Sequence, residues 1–441
     1  MSSAGASLKT LVLRGSAWSF AGHGAGALIR LASSLILTRL LFPEAYGVMS
    51  LVWLVLFGLA MFSDIGLGPA IVRDPRGDDA DFLNTAWTMQ IVRGAVLWGA
   101  SCLIAGPVAA FYGQPDLARL IPAAGLTALI SGFNSTAMQT CRRHMDFKRL
   151  TLLEIASQAV GFLATALWAV FQPSAWAIVG GTLASNLFSA CVSHSYLPGI
   201  RNQFRWEPSS VRILSNFGKW IFLGSAFHFL SVQSDRMLLG HYLDMAQLGV
   251  YSIAVMICDS ILGIILKINY GVVLPAYCKI AQEQAERLRS VVSRTRLAID
   301  AALVLPIGAL MLLSGSVIGA LYDTRYHDAG WMLPILCIRL FMAATLTNSE
   351  ECMIALGHPK YAFMQSACRA VWIIASIPVG WHYAGIKGVV WAVALSEVPV
   401  AVVLWTGLMR HRMFSPVNEL RSVLFVALGA LLGFGLLRVL P

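Results

Sequence analysis

The stretch "SLILTRLLFPEAYGVMSL" (Ser34–Leu51) joins two apolar runs through an arginine, a Pro-Glu pair and a Tyr-Gly. A similar stretch returns about two hundred residues later. Shifting the chain by 202 positions places Trp18, Phe20 and Gly22 on Trp220, Phe222 and Gly224. Without a gap, the same shift places Gly47, Val48 and Ser50 on Gly249, Val250 and Ser252. A constant offset across two helices and their connection identifies an internal repeat. Pro43 and Gly47 are read as the punctuation of a tight hairpin, with Glu44 and Tyr46 at the membrane interface and the Arg39 stem snorkelling outward.

The background to this repeat is a membrane chain. Of 441 residues, 57% are hydrophobic and only 12% charged, against roughly 25% charged in soluble domains. Apolar runs of about 20 residues recur along the chain, the length a membrane helix needs. Alternating ten-residue strands are absent, which argues against a β-barrel. The expected class is therefore all-α, a polytopic membrane protein of about 12–14 transmembrane helices in two repeat-related six-helix bundles around a central cavity.

Thirteen helices are expected, near 14–40, 46–72, 84–111, 117–140, 148–171, 174–197, 213–240, 247–275, 298–321, 330–355, 361–383, 387–408 and 420–440. The expected domains are 1–200 and 201–410, each a six-helix bundle, and 411–441, an additional helix. Six helices separate the two repeat starts, so both halves enter the membrane in the same direction, an architecture suited to alternating access. The segment "GHGAGALIR" (Gly22–Arg30) is too polar for a signal-peptide core, so the first helix is expected to stay.

Charge sets the expected orientation. With the N-terminus in the cytoplasm, 21 of the 32 lysines and arginines fall in inside loops, five outside and six within helices, a strong positive-inside bias. The net charge of +10 then reports topology, with attraction to anionic lipids secondary, and no nucleic-acid partner is implied. The loop "KIAQEQAERLRSVVSRTR" (Lys279–Arg296) reads as a helical extension or interfacial amphipathic helix. Outer connections are short, and no loop is large enough for a catalytic domain. Eight scattered cysteines lack metal-ligand spacing and read as small buried hydrophobes. No metal site is expected.

At this point "ILTRLLFPEAYGVMSL" followed by "FSDIGLGPAIVR" (Phe62–Arg73) resembles the start of polysaccharide-transporter proteins. These are the O-antigen and exopolysaccharide flippases of the multidrug/oligosaccharidyl-lipid/polysaccharide exporter superfamily. "CRRHMDFKRLTLLE" (Cys141–Glu154) and "SDRMLLGHYLDMAQLGVYSIA" (Ser234–Ala254) are similar too. The resemblance implies a two-lobed fold with a central cavity. Its implied cargo is an oligosaccharide on undecaprenyl diphosphate, moved across the bacterial inner membrane for lipopolysaccharide or exopolysaccharide synthesis. It implies no cofactor, coupling to protons or sodium ions, and contact with membrane lipids, polysaccharide polymerase and export machinery.

Charges inside the membrane are the functional candidates. A diphosphate suits guanidinium groups, which offer charge-assisted, bidentate hydrogen bonds. Arg30, Arg93, Arg236 and Arg339 are the expected substrate contacts, with helix-stabilising ion pairs as the other reading. Asp64, Asp259 and Glu397 are the ion-coupling candidates, with Glu350 and Glu351 among the remaining intramembrane acids. Trp53, Trp87, Trp98, Trp176, Trp331 and Trp381 are expected mainly in interfacial belts. "GHGAGA" (Gly22–Ala27) is read as small-residue helix packing and not as a dinucleotide fingerprint, and His23 and His228 as packing or cavity residues. Two alternatives stay open: a cation-coupled multidrug antiporter on the same architecture, and a membrane-embedded glycan polymerase or transferase.

Overall fold

The computed structural model describes residues 18, 22, 24–63, 67–283, 285–358 and 360–439, with side chains at 62, 73, 212–228, 283, 285–286 and 439 outside the description. The described chain is helical, with no strand. It divides into two compact units, Met1–Ala226 and Phe227–Pro441. Nine helices among the described residues are long and apolar enough to cross a membrane, or ten when one bent pair is counted as a span. The thirteen expected differ because the first and seventh are only partly described and two of the others fall within the single segment Lys360–Arg410.

The first unit contains α1 (residues 24–40), α2 (Pro43–Phe62), α3 (Leu67–Arg73), α4 (Ala80–Tyr112), α5 (Leu117–Gly132), α6 (Ala137–Arg143), α7 (Phe147–Phe171) and α8 (Ala175–Tyr196). The opening turn is tighter than its sequence suggests. Pro43 is the first residue of α2 and Glu44 lies in its first turn. Proline costs nothing at a position whose N–H has no helical partner, and the acid faces the positive end of the helix dipole. Gly47 therefore lies inside a helix and not in a hairpin.

Helix four of the sequence reading is two helices. α5 and α6 meet at 61° across Phe133–Thr136. The bend frees carbonyls that lipid cannot satisfy, and α4 satisfies them instead. The Gln90 side-chain amide donates to the carbonyls of Ser131, Gly132 and Asn134 at 3.1, 2.9 and 3.2 Å. Trp87 is buried and donates to the Phe133 carbonyl at 3.5 Å, so it is an interior residue and not part of a belt. "GHGAGA" packs as expected: positions 22 and 26 lie against Thr151 and Gln158 of α7.

At the end of this unit holding residues 71–79, Arg143 donates to the carbonyls of Ile71, Val72 and Asp74 and pairs with Asp78 at 3.0 Å. His144 meets the other Asp78 oxygen at 2.8 Å. The hydrogen bond from His144, aided by the charges of His144 and Arg143, holds the Asp78 carboxyl below its ordinary range. The motif beginning at Cys141 thus fastens a loop.

α9 (Pro208–Tyr242) leads into the second unit, which continues with α10 (Met245–Ile268), α11 (Leu274–Glu283), α12 (Ala285–Ile299), α13 (Leu305–Leu321), α14 (Ala329–Ala355), α15 (Lys360–Ala394), α16 (Glu397–Arg410) and α17 (Pro416–Val439). π turns at Asn269–Val273 and Asp300–Val304 join α10 to α11 and α12 to α13. The helix boundaries keep the 202-residue offset. α1 ends at residue 40 and α9 at Tyr242, while α2 begins at Pro43 and α10 at Met245. Burial repeats as well: Val48, Met49, Leu51 and Val52 match Val250, Tyr251, Ile253 and Ala254, all buried.

α15 breaks at Ala384 and Gly385, where Gly385 takes φ +54°, a conformation that glycine adopts without steric cost. The loop expected to be amphipathic forms α11 and α12, whose apolar side (Tyr277, Leu288, Val292) joins a core cluster with α14 and α16. α17 packs on α13 through small residues. A Cβ at Gly429 would clash with the Leu305 carbonyl oxygen, and one at Gly308 with that of Val426. A buried ion cluster adds to this contact: Arg296 clasps Glu419 with two bonds of 2.6 Å, and Ser422 donates to Asp300 at 2.9 Å.

Two outcomes follow from these contacts. Gly429→Val will force α17 away from α13 at a cost of about 1–3 kcal/mol, the usual range for overpacking; a lower midpoint in detergent thermal unfolding checks this. Because a depressed carboxyl stabilises above its unfolded pKa of about 3.9 and loses that contribution as pH falls through its folded value, residues 71–79 will lose hydrogen-exchange protection below about pH 4. Asp78→Asn will show the loss already at neutral pH.

Candidate functional site

The second unit concentrates its intramembrane charges where α9, α10, α14, α15 and α16 supply them. Asp235 and Arg236 are neighbours on α9 and diverge, as consecutive helical residues must. Asp235 is buried and accepts a hydrogen bond from the buried Tyr251 hydroxyl at 2.8 Å. Arg236 turns to Asp259 of α10 at 3.1 Å and donates to Gln233 at 3.0 Å.

Glu397 anchors the other half of the cluster. Its side chain is 2% exposed, and it accepts from Arg369 at 2.7 Å while Arg339 stands 3.9 Å from its second oxygen. Arg369 also donates to Ser231 of α9 at 3.2 Å. One carboxylate thus ties together α9, α14, α15 and α16. Asp259 and Arg339 also line a small cavity of about 10 Å³ with Val255, Cys258, Leu262 and Leu336, on the scale of one water molecule. Glu351 is fully buried, and neither of its oxygens has a hydrogen-bond partner.

In the first unit the two predicted arginines differ sharply. Arg93 is consumed by the end of α2: its Nε donates to the Ser63 carbonyl and hydroxyl at 2.8 and 3.1 Å, and Nη2 donates to the Ala60 carbonyl at 2.9 Å. Arg30 is exposed and lies, like the Gln158 amide of α7, beside Gly26. Among the described residues, none hydrogen-bonds to or ion-pairs with Arg30, alone in this respect among the intramembrane arginines. Asp64 lies outside the described residues, as do His23 and the side chain of His228.

The structure therefore brings Arg236 and Asp259 together, and Arg339 and Glu397, within one unit. It places Arg30 and Arg93 in the other. Sequence reasoning missed Tyr251, Ser231 and Gln233 as partners, and Gln158 as a neighbour of Gly26. Tyr251 was findable, since it stands beside the repeated Gly249, Val250 and Ser252. Gln158 carried no comparable signal. Among the described residues, no three histidines, cysteines or acids are grouped to hold a metal ion.

The comparisons with known proteins decide the family. The family model described as polysaccharide biosynthesis protein matches residues 36–331, more than half of the chain. The chain belongs to the polysaccharide biosynthesis protein family. Among curated members, the lipopolysaccharide biosynthesis protein WzxC of Escherichia coli (strain K12) is 21% identical over 398 residues, covering 89% of this chain and 80% of that one. The succinoglycan biosynthesis transport protein ExoT of Rhizobium meliloti (strain 1021) is 21% identical over 375 residues, covering 84% and 74%.

Solved structures share the fold. The lipid II flippase MurJ in an inward closed conformation aligns with a TM-score of 0.69 at 11% identity, over 96% of this chain and 98% of that one. An inward-facing multidrug resistance transporter of the MATE family aligns at 0.63 and 15% identity, over 88% and 95%. The family and these neighbours are transport proteins, so this member is a multi-pass membrane transporter and not a catalyst. The glycan polymerase or transferase alternative falls with that finding.

The shared carboxylate gives the testable consequence. Glu397→Gln strands Arg369 and Arg339 at a buried site, and removing one partner of such a pair costs about 3–5 kcal/mol. The variant will unfold at a lower temperature in detergent, and adding Arg369→Gln will restore part of the loss by removing one stranded charge.

Proposed function

We propose that this family member flips an oligosaccharide linked to undecaprenyl diphosphate from the inner to the outer leaflet of a bacterial inner membrane. It does so by alternating access with its N-terminus in the cytoplasm. The observation that carries the reading is Arg30, an exposed guanidinium on a membrane helix with no ion-pair or hydrogen-bond partner among the described residues. An intramembrane charge without a partner is costly, and a diphosphate repays that cost with charge-assisted bonds. The family match supports the polysaccharide cargo, and the lipopolysaccharide and succinoglycan titles of the relatives agree with it.

Arg236 and Arg339 act as further substrate contacts when the transport cycle exchanges their present partners, whereas Arg93 stays with the end of α2. Arg236 is the readiest, because the carboxylate it holds is half exposed. Coupling to protons or sodium ions drives the cycle, and polysaccharide polymerase and export machinery use the product. A second reading is cation-coupled drug antiport. It draws on the five carboxylates of the second unit, Asp235, Asp259, Glu350, Glu351 and Glu397, which outnumber Arg236, Arg339 and Arg369. Unchanged drug resistance on deletion counts against it.

The test is the leaflet location of the undecaprenyl-linked oligosaccharide in a deletion strain that has no redundant flippase. Inner-leaflet accumulation with loss of surface glycan supports the reading. Arg30→Ala will restore transport about 10–100-fold less well than the parent, the value of a charged hydrogen bond of about 1.5–3 kcal/mol; Arg30→Lys will restore it in part. Unchanged sidedness in the deletion strain overturns the reading.

A further inference from the structure

Among the described residues, every fully buried intramembrane carboxylate has a donor, with one exception. Asp235 has Tyr251, Glu397 has Arg369 and Asp300 has Ser422. Glu351 on α14 has none, and it is fully buried. We propose that Glu351 is a proton-binding site of the second unit, a neutral acid in this conformation that releases its proton when the packing around this turn of α14 opens. The use of that proton to drive transport rests on the flippase reading above; the site itself does not.

The surroundings leave an ionised Glu351 nothing to pair with. Its neighbours Cys352 and Met353 belong to the apolar cluster formed with Val273 and Tyr277. An anion taken from water without compensation is strongly disfavoured, and such a group neutralises instead. Its own helix adds Glu350, a second acid beside it.

Among the described residues, the cations that the packed elements present near this site are engaged. α10 carries Lys267, which is engaged elsewhere. The π turn and α11 present Tyr270 and Tyr277, the latter bonded to Asn348. α12 and its π turn present Arg296 and Asp300, committed to Glu419 and Ser422. α15 presents Arg369 and α16 Glu397, committed to each other. α13 carries no ionisable side chain.

The helix packed against α14 has a built-in irregularity. Asn269–Val273 is a π turn, and among the described residues the buried side-chain amide oxygen (Oδ1) of Asn269 also lacks a hydrogen-bond partner. Such turns interrupt the regular ladder and frequently mark functional positions. Opening there admits water, the carboxylic O–H bond breaks, the proton passes to water, and the carboxylate stays on Glu351. Reclosure requires a proton to be taken up again.

Chemistry also separates the site from its neighbours in this unit, since Asp259 and Glu397 pair with arginines whereas Glu351 pairs with none among the described residues. The test uses the full-length protein in liposomes. Its infrared spectrum at pH 7 will contain a protonated-carboxyl stretch that Glu351→Gln abolishes and Glu397→Gln retains. In the unsubstituted protein, a hydrophobic carbodiimide, which attacks protonated carboxyls, will modify Glu351, located by mass spectrometry, and less so as pH rises. A band undiminished in Glu351→Gln, or carbodiimide adducts on Glu350 or Glu397 with none on Glu351, overturns the proposal. If band and adduct behave as expected while the liposomes move no undecaprenyl-linked oligosaccharide, the proton site stands and the flippase reading fails.

Discussion

A charge inside an apolar slab must find a partner, and the second unit is organised by that requirement. Glu397 meets it for two arginines at once, accepting from Arg369 at 2.7 Å with Arg339 at 3.9 Å. Through Arg369 and Ser231 the same carboxylate reaches α9. Four helices are therefore held by one acid, whose burial makes each contact matter more than it would in water. A transporter assembled this way has well-defined rest positions, because its charged contacts cannot be left half made.

The same requirement separates the arginines by task. Arg93 spends its donors on the carbonyl end of α2, and Arg143 spends its own on the end of α3. Both do what water would do for a helix end in a soluble protein. Arg296 holds the C-terminal helix through Glu419. Arg30 performs no such service, which is why the proposed diphosphate contact begins there. Glu351 is the acidic counterpart: lacking any donor, it meets the same demand by being neutral.

Much of the fold was legible in the sequence because its signals are periodic. The 202-residue offset is kept by the helix boundaries, which end at residue 40 and Tyr242 and restart at Pro43 and Met245, two or three residues from the expected 240, 46 and 247. The basic amphipathic loop foretold α11 and α12. What the sequence concealed was long-range satisfaction of backbone groups. The bend after Gly132 depends on Gln90, more than 40 residues earlier, and nothing local marks it. The candidate site was legible only as a set of charges. That Arg93 caps a helix, that Asp235 answers Tyr251, and that Glu351 answers nothing are facts of side-chain reach. One-dimensional spacing carries no trace of them.

The central claim is that pairing decides which intramembrane arginine meets the substrate. It is tested most directly by the affinity of the purified protein, in lipid nanodiscs, for undecaprenyl diphosphate, with uncharged undecaprenol as reference. The account predicts that Arg30→Ala weakens diphosphate binding about tenfold or more, the equivalent of about 1.4 kcal/mol, without changing the response to undecaprenol. It also predicts that Arg93→Gln lowers stability and leaves that affinity within about twofold, below 1.4 kcal/mol. Equal losses in the two variants, or no loss on removing Arg30, would contradict it.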